Sequence, residues 1–261
     1  MLKVEDLSVT FDDTKTTALR GVNLTLRDEK MIVVGANGSG KTTLLKAILG
    51  LAPITYGTVS VFGRDVRTIL GATGLSTNLA EVYRLVSLPV RDLIDIFARL
   101  KRGDVNELVG RIHEFELDEV LDKKTYQLST GQQKMVGNLL AASFGPKLVL
   151  LDEPFDNVDF TRRRRFVRLL QELPAEVLLN THELELLKRF GGWKLGFMFD
   201  GRMYGPFQVS DLDRLYLSRG SAPGALAVLE TSLGRFSITL DRGDTLVQSA
   251  TSLNALVENL A

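Results

Sequence analysis

No cysteine occurs among the 261 residues, which excludes disulfides, thiolate metal sites and a cysteine nucleophile and fits a reducing compartment. No charge of one sign prevails either. Thirty-two Lys and Arg balance 32 Asp and Glu, so no overall positive field exists to gather nucleic acid or an anionic membrane surface. Long hydrophobic runs are missing too: stretches such as residues 31–34 and 148–151 are strand-sized, far below the roughly 20 residues that span a bilayer. The first ten residues carry Lys3, Glu5 and Asp6 among apolar ones and lack a small-residue cleavage site, unlike a secretory leader; the chain is expected to stay in the cytoplasm. Histidine is scarce, with only His113 and His182 available for chemistry near neutral pH, and no repeats or low-complexity tracts stand out. What is present, 44 % hydrophobic and 25 % charged residues, suffices for one sizeable core and a small appendage.

The strongest local signal is Gly35-Ala36-Asn37-Gly38-Ser39-Gly40-Lys41-Thr42, followed by Thr43. It fulfils the Gly-x4-Gly-Lys-Ser/Thr pattern between an apolar run (31–34) and a helical-looking segment (44–49). Glycines there let backbone N–H groups close around phosphate oxygens, and the new helix adds its positive dipole end. Lys41 is expected at the β- and γ-phosphates and the Thr42 hydroxyl on Mg²⁺. A second apolar run, 148–151, ends in Asp152-Glu153-Pro154, bringing two carboxylates to the end of a buried strand. Asp152 is expected to hold the magnesium through its water shell, and Glu153 to polarise an attacking water as general base. Alone, such a pair is more often a helix cap or solvated turn; beside a phosphate loop the balance reverses.

Between these sites, Leu128-Ser129-Thr130-Gly131-Gln132-Gln133 resembles the Leu-Ser-Gly-Gly-Gln signature of the ABC ATPases. The order and spacing continue with Asn157-Val158-Asp159, similar to that family's D-loop, and with Thr181-His182-Glu183 after an apolar run, similar to its switch-histidine segment. Phe11 stands where the family usually has a tyrosine that stacks on adenine. The resemblance covers about residues 1–210. It implies that Ser129, Thr130, Gly131 and Gln132 open a helix contacting the γ-phosphate of ATP held on a second subunit. It also implies that His182 steadies the water next to Glu153 and that Asp159 marks the D-loop. His113, in a helical pattern without a phosphate motif, is expected at or near the surface. Three positions depart from the family. Asn78 stands where a glutamine that senses magnesium is usual, one methylene shorter but with the same amide; Thr130 replaces a glycine; and Met135 replaces a frequent arginine, removing a charge that braces the region.

The resemblance implies an α/β fold: a P-loop NTPase of ABC type, with a RecA-like core, an N-terminal antiparallel β region, an inserted helical subdomain at about 79–140 and a small C-terminal α+β extension. Residues 1–211 would form the ATP-binding domain and 212–261 the extension. Independently, 58–62 reads as a strand, and apolar residues at helical spacing mark 90–100 and 105–117 as helices. Residues 220–224 read as a linker, with 225–229 pairing to 235–240 and a short helix at 252–260. Arg162, Arg163, Arg164, Arg165 and Arg168 form the one strong charge run, expected as a solvated face with acidic partners.

Function by resemblance is an ATP-binding and ATP-hydrolysing subunit that powers transport, with ATP and Mg²⁺ as ligands and a separate membrane-spanning chain as partner. Homodimerisation on ATP, no nucleic acid, and a peripheral place at the cytoplasmic face of the cell membrane belong to the same reading. Residues 90–93 and 97–100 resemble drug and polysaccharide exporters, which favours export slightly. The alternative is a soluble ABC ATPase in a cytosolic assembly process.

Overall fold

Strand β1 (Leu2–Phe11) carries two apolar pairs out of phase, Leu2 with Val4 and Leu7 with Val9, and all four are buried. A pleat of period two can bury both pairs only by absorbing an extra residue between them. Accordingly, the antiparallel register against β2 (Thr16–Leu26) slips between Val4 and Leu7. Asp6 sits in that slip at φ 47°, its N–H donating to Asn23 Oδ1 and its Oδ1 accepting from Asn23 Nδ2, both at 3.0 Å. The computed structural model describes residues 1–69, 71–83, 87–231 and 233–249. Two compact units divide the chain: Met1–Ile69 with Asn180–Ala261, and Leu70–Leu179, inserted between them in sequence.

In the first unit the chain continues through β3 (Lys30–Gly35) into α1 (Lys41–Ile48), then β4 (Tyr56–Val61) and β5 (Arg64–Asp65). One antiparallel sheet has the order β2-β1-β4-β5. In β3, Met31, Ile32, Val33 and Val34 are all fully buried, as a strand covered on both faces requires.

The inserted unit contains β6 (Leu75–Thr77), α2 (Ala80–Tyr83), α3 (Val90–Lys101), α4 (Val105–Glu114), α5 (Thr130–Ala142), β7 (Leu148–Asp152) and α6 (Phe160–Glu172), and most of β8 (Glu176–Thr181). Strand order is β8-β7-β6, with β6 and β7 parallel. Helix α3 buries Val90, Leu93, Ile94 and Ala98, the face its spacing predicts. Helix α4 starts on Asp104, whose side chain accepts from Asn106 N–H, an N-cap that satisfies one of the helix's orphan donors.

Arg164 and Arg168 are exposed and Arg162 pairs with Asp159 at 2.9 Å, in keeping with a solvated face that has acidic partners, but Arg162 and Arg165 also reach backbone carbonyls. Arg162 donates to Phe115 O (2.9 Å) and Glu116 O (2.7 Å), and Arg165 to Glu114 O (2.8 Å) as well as to the Glu116 carboxylate (2.6 Å). Two guanidiniums thus serve carbonyls at and just beyond the C-terminal end of α4. His113 is exposed beside Asp118, a surface position as its pattern predicts.

Back in the first unit, β9 (Lys194–Phe199) lies parallel to β3, and β10 (Arg202–Gln208) returns antiparallel along β9. Their turn rests on Asp200 (φ 44°) and Gly201 (φ 78°), the two positive φ angles of a tight hairpin. A second antiparallel sheet follows, from β11 (Leu215–Arg219), β12 (Ala227–Thr231), β13 (Gly234–Leu240) and β14 (Thr245–Leu246), in the order β12-β13-β11-β14. The expected pairing of 225–229 with 235–240 is therefore present as β12 on β13. Residues 220–224 are not a linker between bodies: they connect β11 to β12 inside one sheet, tied down by Ala222 N–H donating to Ser237 Oγ at 3.1 Å. The helix expected at 252–260 lies outside the described residues.

Candidate active site

Local sequence builds the phosphate loop. An added Cβ on Gly35 would lie 2.5 Å from Ser39 Oγ and 2.6 Å from Met198 O, and one on Gly40 would lie 2.7 Å from Ala18 O. Gly40 also takes φ 106° as the residue before α1, where no side chain caps the helix, so amides at this N-terminus are left for an anion. Lys41 is 5 % exposed; its Nζ donates to Gly35 O at 2.7 Å and Ala36 O at 3.0 Å, arching over the loop it belongs to. Ser39 is 6 % exposed and its Oγ has no hydrogen-bond partner among the described residues. A buried hydroxyl in that state calls for a ligand atom. Asn37 and Gly38 are exposed at the tip, while Ala36, Thr42 and Thr43 are half-buried. In the same unit Phe11 is half-buried at the end of β1, and His182 is half-buried just beyond β8, where Glu183 N–H closes a turn on Thr181 Oγ1 at 3.2 Å.

In the inserted unit, β7 buries Leu148, Val149, Leu150 and Leu151 completely and releases Asp152 and Glu153, both half-buried, at its end. Glu153 takes φ 44°, the left-handed region that a residue with a Cβ enters at a cost of about 1–3 kcal/mol. Asn78 does not stand open as the expected metal-sensing group. It is 3 % exposed; its Oδ1 accepts from Asp152 N–H at 2.8 Å, and its Nδ2 donates to Asp152 O at 3.2 Å and to Asn138 Oδ1 at 2.8 Å. The shorter amide is thereby committed to the Asp152 backbone and to Asn138 rather than offered to magnesium. Sequence reasoning missed Asn138 and Lys134, the latter donating to Asp152 O at 3.0 Å. The available signal was an asparagine in the middle of an apolar helical stretch.

The signature residues open α5. Ser129 Oγ accepts from Gln132 N–H at 3.2 Å while Gln132 Oε1 accepts from Ser129 N–H at 3.0 Å, a reciprocal capping box. Ser129 and Thr130 are exposed. Gly131 has a steric reason to be glycine, because a Cβ there would lie 2.3 Å from Asn157 O. Asn157 itself takes φ 58°, and Asp159 caps α6 by accepting from Arg162 N–H at 3.0 Å. Burial raises the Asp159 pKa, but the hydrogen bonds and charge of Arg162 outweigh it and hold the carboxyl below its ordinary value. Met135, where the family often has an arginine, is 1 % exposed; a charge there would be buried, and the thioether fills the core instead.

Lys101, the last residue of α3, donates to Thr73 O (3.2 Å), Leu75 O (3.3 Å) and Ser76 Oγ around β6. Burial pushes its pKa down from 10.5 to about 8. Between pH 8 and 10.5 the unfolded chain therefore binds more protons than the folded one, so stability rises with pH across that window and this gain is absent below it. Denaturation of wild type and Lys101→Gln in parallel is expected to show the wild type gaining on the variant from pH 8 upward; parallel curves would mean the ammonium is not desolvated.

Residues 19–156 match the family model described as ABC transporter. This chain belongs to the ABC transporter ATP-binding family. The ABC transporter ATP-binding protein YhaQ of Bacillus subtilis is 34% identical over 255 residues, covering 94% of this chain and 78% of YhaQ. The phosphonates import ATP-binding protein PhnC of Lactobacillus gasseri is 30% identical over 240 residues, covering 78% of this chain and 88% of PhnC. A solved structure described as a cobalt transport ATP-binding protein superposes with a TM-score of 0.91 at 34% identity, covering 100% of both chains. That match takes in the C-terminal sheet as well. The chain is an ATP-binding, ATP-hydrolysing subunit of the ABC transporter type. The leaning towards export gains nothing from these relatives, one of which is named for import.

Proposed function

We propose that this ABC ATPase works as a dimer at the cytoplasmic face of a membrane, peripheral to it, and drives a membrane-spanning subunit that is a separate chain. Among the described residues no helix is long and apolar enough to cross a membrane, and in this reading the separate chain supplies the translocation path. In this reading residues 1–211 are the ATP-binding domain and 212–261 an extension that steadies the dimer.

The observation that carries the reading is the phosphate loop, with its buried, unpartnered Ser39 hydroxyl, its steric need for glycine at 35 and 40, and Lys41 arched over it. Residues 35–43 hold the triphosphate, Lys41 meets the β- and γ-phosphates, and Phe11 stacks on adenine. The Thr42 hydroxyl and the Asp152 carboxylate are hard oxygen donors suited to Mg²⁺, which when bound neutralises charge on the phosphate oxygens. Glu153 takes a proton from the attacking water, and His182 orients that water. Ser129, Thr130, Gly131 and Gln132 offer an exposed helix N-terminus to ATP on the opposing subunit, with Asp159 at the adjoining loop. ATP binding closes the dimer, and hydrolysis reopens it and resets the membrane partner.

The test is copurification of the Glu153→Gln protein with MgATP from detergent-solubilised membranes of its native cell. A stoichiometric integral membrane protein with several spanning helices is expected; a soluble partner, or the ATPase wholly in the cytosolic fraction, would turn the reading towards a soluble assembly ATPase.

A further inference from the structure

Asn138 is 0 % exposed on a face of α5 where Met135, Val136, Leu139 and Leu140 are buried too. An amide in such surroundings persists only when its hydrogen bonds are made, and here they are specific. Its Oδ1 accepts from Asn78 Nδ2 at 2.8 Å and its Nδ2 donates to Pro154 O at 2.7 Å. Asn78 in turn pairs with both backbone groups of Asp152, accepting from N–H at 2.8 Å and donating to O at 3.2 Å. The two interlocked amides therefore grip the main chain immediately before and immediately after Glu153, the residue at φ 44°. A left-handed glutamate stays there only if its surroundings over-determine it, and this clasp does so from both sides.

We infer that Asn78 and Asn138 are positioning residues for hydrolysis, a buried amide pair that fixes the peptides flanking Glu153 and so aims its carboxylate. The inference rests on the reading of Glu153 as general base. Both asparagines act through the backbone, and the arrangement uses both the donor and the acceptor of each amide. Asn138→Asp keeps the shape and the acceptor but turns the donor facing Pro154 O into a second acceptor. Asn78→Asp keeps the acceptor for Asp152 N–H and loses both donations.

Steady-state ATP hydrolysis by the full chain tests it. Each substitution is expected to lower kcat about tenfold to a hundredfold, the scale of a misplaced reacting group, with KM for ATP changed by no more than about threefold, as for groups that act on the transition state alone. Introduced into Glu153→Gln, the same substitutions are expected to lower the residual rate less than about twofold, because the group they aim is already gone. Should Asn138→Asp fail to give folded protein by thermal melting, Asn138→Leu, which suits the apolar neighbours, takes its place. An unchanged kcat in folded variants, or an equal fall with and without the Glu153 carboxylate, overturns the proposal. If Glu153→Gln alone turns over at the wild-type rate, the general-base reading fails, and that is known before any asparagine is changed.

Discussion

Lys41→Ala is expected to weaken ATP binding at least a hundredfold by equilibrium titration. Hydrogen bonds to charged partners are worth about 1.5–3 kcal/mol each, and an ammonium spanning two phosphates forms at least two; a loss of about 3 kcal/mol or more follows, with 1.4 kcal/mol per tenfold. The ammonium lies 2.7 and 3.0 Å from the carbonyls of Gly35 and Ala36, over the loop whose amides are to meet the phosphates. ATP affinity within threefold of wild type would mean that the loop amides hold the phosphates without the lysine, and the cradle assignment would have to be withdrawn.

Glu153→Gln should separate binding from chemistry. The side chain keeps its shape and loses its basicity, so ATP affinity is expected to stay near wild type while kcat falls about 10²–10⁴-fold, the usual contribution of a general base. With hydrolysis blocked, the ATP-bound dimer should accumulate and be visible by light scattering at saturating MgATP. A variant that stays monomeric across a range of salt concentrations contradicts a site shared between two copies. A variant that hydrolyses ATP at full speed places the base elsewhere. Lys41→Ala, by contrast, should stay monomeric and inactive, because it prevents the dimer by preventing binding.

Chemistry written in contiguous residues was legible without coordinates. The phosphate loop is one such case: its glycines, lysine and threonine act through backbone amides and a helix that begins at the next residue, all within a single turn of chain. The fully buried strands β3 and β7 were legible for the same local reason, as short unbroken apolar runs with turn signals at their ends. Polar groups whose partners lie far away in sequence were not. Asn78 reads as a shortened magnesium-sensing residue until its amide is found on Asp152, 74 residues on. The arginines from 162 read as a charged surface with acidic partners, and nothing along the chain shows that Arg162 and Arg165 also serve carbonyls around the end of α4.

The sequence by itself determined the nucleotide chemistry and the family of this protein, because both are carried by spacing along the chain, and spacing needs no packing to be read. Only the tertiary structure decided what the amides of Asn78 and Asn138 hold, why Gly131 cannot carry a side chain, and why residues 220–224 are a loop inside one sheet. A hydrogen bond and a steric contact act over about 3 Å, and which residues come that close is settled by the fold alone.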